Sequence, residues 1–302
     1  MQKKFEMRKI LYVLLAVFFT NVSFSQEYHF GIRGGMNFST IYGPSEPGAE
    51  EKYSFTSGYH FGLEVLYSFN DFVSLGSGIT YSQTGAKYSF RGPSYYIFFD
   101  DGNYVLRNDD VKIDLEIINS YIILPLSVYV KPFSKLEMKF GTYAGFLINP
   151  TASGKLSFGN KFNQILRYNY YSDKKKYYNP YEVNTKLRIK VIDENGEEII
   201  KTTNKVAKAY YHYPPDDYKD ETYYNVLDYG VNAGINYYVN SSLFLGVNMQ
   251  YGLADITNDK LDRSLVTFAD DGDLYFDDDD HYIYRHDKDT NFNIQVSIGF
   301  RF

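Results

Sequence analysis

Asn291-Phe292-Asn293-Ile294-Gln295-Val296-Ser297-Ile298-Gly299-Phe300-Arg301-Phe302 puts an apolar side chain at every even position and a polar or small one at every odd position. A strand sends successive side chains to opposite faces, so a period of two predicts a strand with a different solvent on each side. The pattern recurs seven times upstream. The apolar sets run from Phe30 to Phe38, Tyr59 to Phe69, Val73 to Tyr81, Ile118 to Val130, Met138 to Ile148, Val231 to Val239 and Leu243 to Leu253.

Residues directly opposite in an antiparallel pair share a face. Phe69 pairs with Val73, Pro132 with Leu136 and Val239 with Leu243 under that rule. The connections left over are Asn70-Asp71-Phe72, Phe133-Ser134-Lys135 and Asn240-Ser241-Ser242, each of hairpin length. The other connections are long: 40–56, 84–114, 151–224 and 255–290. Two of these read as continued ribbon, turning at Asp101-Gly102 and at Gly272-Asp273, since Asp-Gly and Gly-Asp supply the positive φ of a tight turn. The third carries its own hairpin, with Leu187, Ile189 and Val191 leading to Glu194-Asn195-Gly196.

The polar face decides between a soluble sandwich and a membrane barrel. It reads Gly31, Arg33, Gly35, Asn37; His60, Gly62, Glu64; Gly76, Gly78; Glu137, Lys139, Gly141; Asn232, Gly234, Asn236; Gly246, Asn248, Gln250. A water-facing surface is richer in Lys and Glu and poorer in Gly. Glycines suit a narrow interior in which large side chains alternate with gaps. The apolar set therefore faces lipid. Short turns alternating with long loops match an outer-membrane barrel, with short turns and both termini on the periplasmic side. The fold expected is an all-β, eight-stranded antiparallel up-and-down transmembrane β-barrel with long extracellular loops.

Composition agrees. The chain has 33 Tyr and 24 Phe and no Trp, a bias toward strands and membrane interfaces. It has no Cys, which removes disulfides, thiolate metal sites and a cysteine nucleophile. A net charge of -6 argues against a nucleic-acid partner. Lys3, Lys4, Arg8 and Lys9 precede the apolar run Ile10 to Phe19, with Ser23 and Ser25 after it, so residues 1–25 read as a signal peptide and 26–302 as the barrel domain. That segment carries four bases and one acid, a net +3, so -6 falls to about -9 in the mature chain.

Tyr121-Ile122-Ile123-Leu124-Pro125-Leu126, followed by Val128-Tyr129-Val130-Lys131 and Gly141-Thr142-Tyr143-Ala144-Gly145-Phe146, resembles the central hairpin of PorT-like outer-membrane β-barrel proteins. Asp228-Tyr229-Gly230-Val231 and the terminal Gly299 to Phe302 are similar too. The resemblance implies an eight-stranded barrel, an assembly signal at Phe300 and Phe302 read by the barrel assembly machinery, and a namesake role as an accessory of protein secretion.

Five charges fall on the lumenal face: Arg33, Glu64, Glu137, Lys139 and Arg301. Eight strands leave just enough room for the barrel's own side chains, so mutual neutralisation is expected there rather than a conducting path. Asp270, Asp271, Asp273, Asp277 and Asp279 offer oxygens to a hard cation, yet lack the spaced ligands and closing Glu of a helical calcium loop, and read better as a solvated tip. No metal or cofactor is expected. His60 and Glu64 share a face, with Ser39 on the neighbouring strand, the residue types of a nucleophile and base; nothing supplies an oxyanion hole, and a hydrogen-bonded interior His is preferred. Lys174-Lys175-Lys176 among many tyrosines suits a protein or glycan surface. The functional expectation is a non-enzymatic outer-membrane protein contacting lipid and acting through its loops, with secretion accessory and lipid-modifying enzyme as alternatives. Mass spectrometry of membrane-extracted protein is expected to find the N-terminus at Gln26; an intact Met1 would refute cleavage after Ser25.

Overall fold

The computed structural model describes residues 27–100, 103–158, 162–169, 186–192, 198–204, 206–207, 222–262, 264–266 and 285–302. These residues form β1 (Glu27–Tyr42), β2 (Glu50–Ser54), β3 (Thr56–Ser68), β4 (Val73–Asp100), β5 (Asn103–Phe133), β6 (Leu136–Phe158) and β7 (Phe162–Asn169). Then follow β8 (Lys186–Ile192), β9 (Glu198–Asn204), β10 (Val206–Ala207), β11 (Leu227–Tyr238), β12 (Leu243–Gly252) and β13 (Thr290–Arg301).

Eight of these strands close a ring. β1 pairs with β3, β3 with β4, β4 with β5, β5 with β6, β6 with β11, β11 with β12 and β12 with β13, and β13 returns to β1, all antiparallel. The seam runs from Gly31 opposite Arg301 to Tyr42 opposite Thr290, and Phe30 and Phe302 exchange backbone hydrogen bonds of 2.8 Å at its end. Beyond the ring, β2 pairs with the far part of β4, β7 with the far part of β6, and β10 with β7. β8 and β9 form a separate hairpin, with Val191 opposite Ile199, as the alternation in the third connection predicts.

Two solvents are written on the two faces. Val247 is 50% exposed and Ile298 56%, whereas their chain neighbours Asn248 and Ser297 are 3% and 6% exposed. On β13 the outward apolar positions run from Phe292 to Phe302, matching the roughly 9–11 tilted residues that cross a bilayer. Small residues let the ring tighten. A Cβ on Gly35 would stand 1.9 Å from the Val296 carbonyl oxygen, across the seam, so the first and last strands meet only because that position is bare.

Above the apolar belt the pattern inverts along the same strands. On β5, Leu124, Leu126 and Val128 face out and Ser127 faces in; further along, Lys112 and Asp114 face out while Ile113 and Ile117 are buried. β4 does the same, with Ala86, Tyr88 and Phe90 inward, and the Ser89 hydroxyl donates to Asp114 at 3.0 Å outside. Once water replaces lipid around the ring, the apolar side chains gain by turning inward. They form a core of Ile41, Phe90, Ile113, Leu156, Ile256 and their neighbours that closes the long-loop end.

At the short-turn end two connections share one device. Asn70 Oδ1 accepts from the backbone N–H of Phe72 (2.9 Å) and Val73 (2.8 Å), and Asn240 Oδ1 accepts from Ser242 (2.9 Å) and Leu243 (2.7 Å). The side chain stands in for a backbone acceptor and fixes the three-residue turn. The third differs from expectation. Phe133 pairs with Leu136, so the turn is Ser134-Lys135, and the register shifts between Val130 and Phe133. Pro132 has no N–H to give the ladder, and the strand steps past it as a bulge.

A second correction concerns the ribbon expected about Gly272-Asp273. Leu243 lies opposite Phe300, two residues from the predicted partner Phe302, and the strands end at Gly252 and Thr290. Ala254, Ile256, Leu261 and Val266 bury themselves in the mouth of the ring instead of extending into water. The ribbon of β4 and β5 does continue in register to Asp100 opposite Asn103. The turns Asp101-Gly102, Gly272-Asp273 and Glu194-Asn195-Gly196 lie outside the described residues, as do residues 1–25, Lys174-Lys175-Lys176 and Asp270 to Asp280. Val247→Arg puts a charge on the lipid face and is expected to cost about 2–4 kcal/mol if it sits near the midplane. Guanidinium unfolding of the vesicle-embedded protein, read by the gel mobility of the folded barrel, checks this; Asn248→Ser should cost far less.

Candidate functional site

The lumen is filled from its own strands. Arg301, near the end of β13, sends one guanidinium nitrogen to Glu64 Oε1 of β3 (2.8 Å) and the other to Glu137 Oε2 of β6 (2.6 Å). Asn236 donates to Glu137 Oε1 at 2.8 Å, and the Tyr238 hydroxyl bonds both Glu137 and Arg301. The guanidinium also stands 5.4 Å from the ring centres of Tyr129 and Phe244 and 5.7 Å from that of Tyr238. Planar Arg satisfies two carboxylates and three rings at once, which a Lys ammonium would not do. Arg33 and Lys139 are buried beside this network, and neither closes an ion pair among the described residues. All five predicted lumenal charges are thus inside, but the pairing belongs to Arg301.

Below Arg301 a cavity of about 530 Å³ opens at the short-turn end, lined by residues including His29, Lys131, Glu137, Tyr238 and Arg301. Above, His60 sits in a buried row. Asn37 donates its amide to Ser82 Oγ (2.9 Å) and the Gln83 carbonyl (2.7 Å), which leaves its Oδ1 to accept from His60 Nδ1 at 2.8 Å. A neutral ring then accepts at Nε2 from the Ser297 hydroxyl, also 2.8 Å away. Serine, histidine and asparagine in this order have the connectivity of a hydrolytic triad. All three are buried in the lumen, with Asn37 at 0% exposure. Ser39, the expected neighbour of His60, accepts instead from the Gly85 backbone N–H at 2.9 Å. Closure of β13 on β1 brings Ser297 to His60 from 237 residues away, a partner that no local spacing reveals.

Nearer the mouth, Asp228 accepts from Tyr143 (3.3 Å) and Asn291 (3.0 Å). Outside the belt, Glu46 and Glu51 of the β1–β2 region meet Asp262, Arg285, Asp287 and Asp289. Arg285 pairs with Glu51 at 3.0 Å and with Asp287 at 2.5 Å. Burial raises the Glu46 carboxyl above its ordinary range, opposed by hydrogen bonds from Ser264, Val266 and Leu265 and by Arg285. Sequence reasoning passed over this rim group, because its members come from three segments that only the fold joins. Phe300 and Phe302, the expected assembly signal, face outward at the short-turn end and are 43% and 66% exposed.

A closed antiparallel ring, oily outside and hydrogen-bonded within, defines an outer-membrane β-barrel. The chain belongs to the family described as outer membrane protein beta-barrel domain, whose model matches residues 24–258. It is similar to the solved structure of Ail, the attachment invasion locus protein of Yersinia pestis, at 10% identity, with a TM-score of 0.34, covering 91% of this chain and 99% of that one. Neisserial surface protein A matches at 9% identity and a TM-score of 0.34, over 90% and 97% of the two chains. OprG from Pseudomonas aeruginosa matches at 12% and 0.30, over 92% and 97%. No curated protein sequence matches the chain. The protein is an outer-membrane β-barrel of a Gram-negative cell, and its apolar belt contacts lipid.

Arg301→Met strands Glu64 and Glu137 without their cation and is expected to destabilise the barrel by about 3–5 kcal/mol. Adding Glu64→Gln and Glu137→Gln should recover most of that loss. Unfolding midpoints of the single and triple variants check the coupling; equal losses would refute it.

Proposed function

We propose that this barrel is non-enzymatic and acts through its extracellular end, in binding a surface protein or glycan or in organising the cell surface. The observation that carries this reading is the filled lumen: the ion network around Arg301 lies below, and the apolar core around Phe90 and Ile113 lies above. Chemistry offered to the outside therefore comes from the rim and from the strands that rise past the membrane. β4 and β5, at 28 and 31 residues, carry a ribbon far longer than a bilayer span. The PorT-like resemblance of Tyr121 to Leu126 favours a second reading, an accessory of protein secretion working by protein contacts. Cleavage near Ser25 and recognition of Phe300 and Phe302 by the barrel assembly machinery belong to the biogenesis proposed under either reading.

Crosslinking on intact cells followed by capture separates the two. Extracellular or surface partners, lost when residues 159–221 are replaced by a short linker, support the first. Components of an export machinery captured from the periplasmic side favour the second. A lipid-modifying role would use Ser297 and His60, so the Ser297→Ala variant is expected to leave lipid A unchanged by mass spectrometry; an altered lipid A profile would overturn the non-enzymatic reading.

A further inference from the structure

At the long-loop end the carboxylates of the rim differ in how they are satisfied. Glu46 accepts from the backbone N–H groups of Leu265 and Val266, each at 3.1 Å, and from the Ser264 hydroxyl. Asp255 Oδ1 caps the backbone of Thr257 (3.2 Å) and Asp289 (3.1 Å). Glu51 is held by Arg285, whose remaining donors go to Asp287 Oδ2 at 2.8 Å and to the Pro44 carbonyl at 2.7 Å. That guanidinium is spent.

Asp262, Asp287 and Asp289 are left as a group. One carboxylate oxygen of each lies within 4.8 Å of those of the other two. Asp289 is 4% exposed, and its Oδ1 is buried without a hydrogen-bond partner; Asp287 Oδ1 is in the same state. Room for the Asp289 carboxylate is built into the backbone, since a Cβ on Gly43 would fall 1.7 Å from Oδ1. Asp262, also buried, takes the Tyr223 hydroxyl at 3.1 Å.

Acids this close and this buried cost energy unless something positive joins them. Burial together with Asp287 lifts the Asp289 carboxyl to about 7 against the pull of Arg285. Burial lifts Asp262 to about 8, again opposed by Arg285. An all-oxygen donor set selects a hard ion over zinc or copper. Oxygens on opposite sides of calcium stand about 4.6–5.2 Å apart, twice its bond length, so three carboxylates at this spacing can share one ion.

We propose that Asp262, Asp287 and Asp289 bind a divalent cation of the calcium type at the extracellular rim, tying residues 255–262 to residues 285–289 across the mouth of the barrel. The site is distinct from the acidic run Asp277 to Asp280 and does not depend on what the extracellular end binds.

The test uses the full mature chain in detergent, stripped with a chelator and titrated with terbium, followed by displacement with calcium. The chain has 33 Tyr and no Trp, so tyrosine is the sensitiser, and Tyr223 already touches Asp262. Expected results are a luminescence signal that calcium displaces and an unfolding temperature that calcium raises. Asp289→Asn should weaken terbium binding by about 10–100-fold or more, the range lost even when an outer-shell partner is removed. Asp287→Asn, at a less buried position, serves as the second variant, and both are checked for the gel mobility of the folded barrel. Replacing Asp277 to Asp280 by Asn should leave the displaceable signal in place. A folded Asp289→Asn or Asp287→Asn protein that binds as wild type would overturn the proposal. So would a wild-type protein that shows neither calcium-displaceable luminescence nor a calcium shift, the acids then being neutralised by protons alone.

Discussion

In hydrocarbon a backbone N–H or C=O without a partner costs several kcal/mol, and no water is there to supply one. A sheet meets that constraint only by having no free edge. β1 and β13 lie at opposite ends of the described chain, yet they pair over twelve positions from Gly31–Arg301 to Tyr42–Thr290. Everything else in the molecule is arranged around keeping that seam shut. Gly35 lets the strands approach, the Asn70 and Asn240 turns set hairpin registers, and Phe30 and Phe302 lock the end.

Closing the ring takes the side chains of one face away from bulk solvent, and above the cavity at the short-turn end their polar groups have to be satisfied from within. Arg301 does this at the short-turn end by serving Glu64, Glu137 and three aromatic rings together. Asn37, His60 and Ser297 do it at mid-height. A row with the connectivity of a catalytic triad thus has a structural use: buried polar groups in low dielectric must be bonded, and a chain of donors and acceptors spanning β1, β3 and β13 binds the seam from the inside.

Past the belt the same strands continue into water, and the hydrophobic effect changes sign across the sheet. Tyr88, Phe90, Ile113 and Ile117 turn inward where polar side chains had been, and Ile256 and Val266 join them in one core. The lower half behaves as a membrane protein and the upper half as a small soluble barrel with its own core. Rim carboxylates drawn over that core are what make an acidic, cation-hungry surface out of residues that a flexible loop would have left solvated.

The alternation of Asn291 to Phe302 and its seven counterparts determined, on sequence alone, the strand count, the antiparallel order, the side facing lipid and the lumenal position of Arg33, Glu64, Glu137, Lys139 and Arg301. Those properties follow from a period of two and from turn lengths, which are local. Three features were not local. The two-residue turn at Ser134-Lys135 depends on how the ladder passes Pro132, and the burial of Ala254, Ile256, Leu261 and Val266 depends on a hydrophobic mouth waiting above the belt. Which charges and hydroxyls meet was decided by the fold, since Ser297 reaches His60 only after strands distant in the chain are brought side by side, and Asp289 reaches Asp262 only because the connection between β12 and β13 folds back on itself. Sequence records the face on which each residue lies; tertiary structure alone sets the height and the neighbour, because contact energies are short-ranged and the ring must shut before they act.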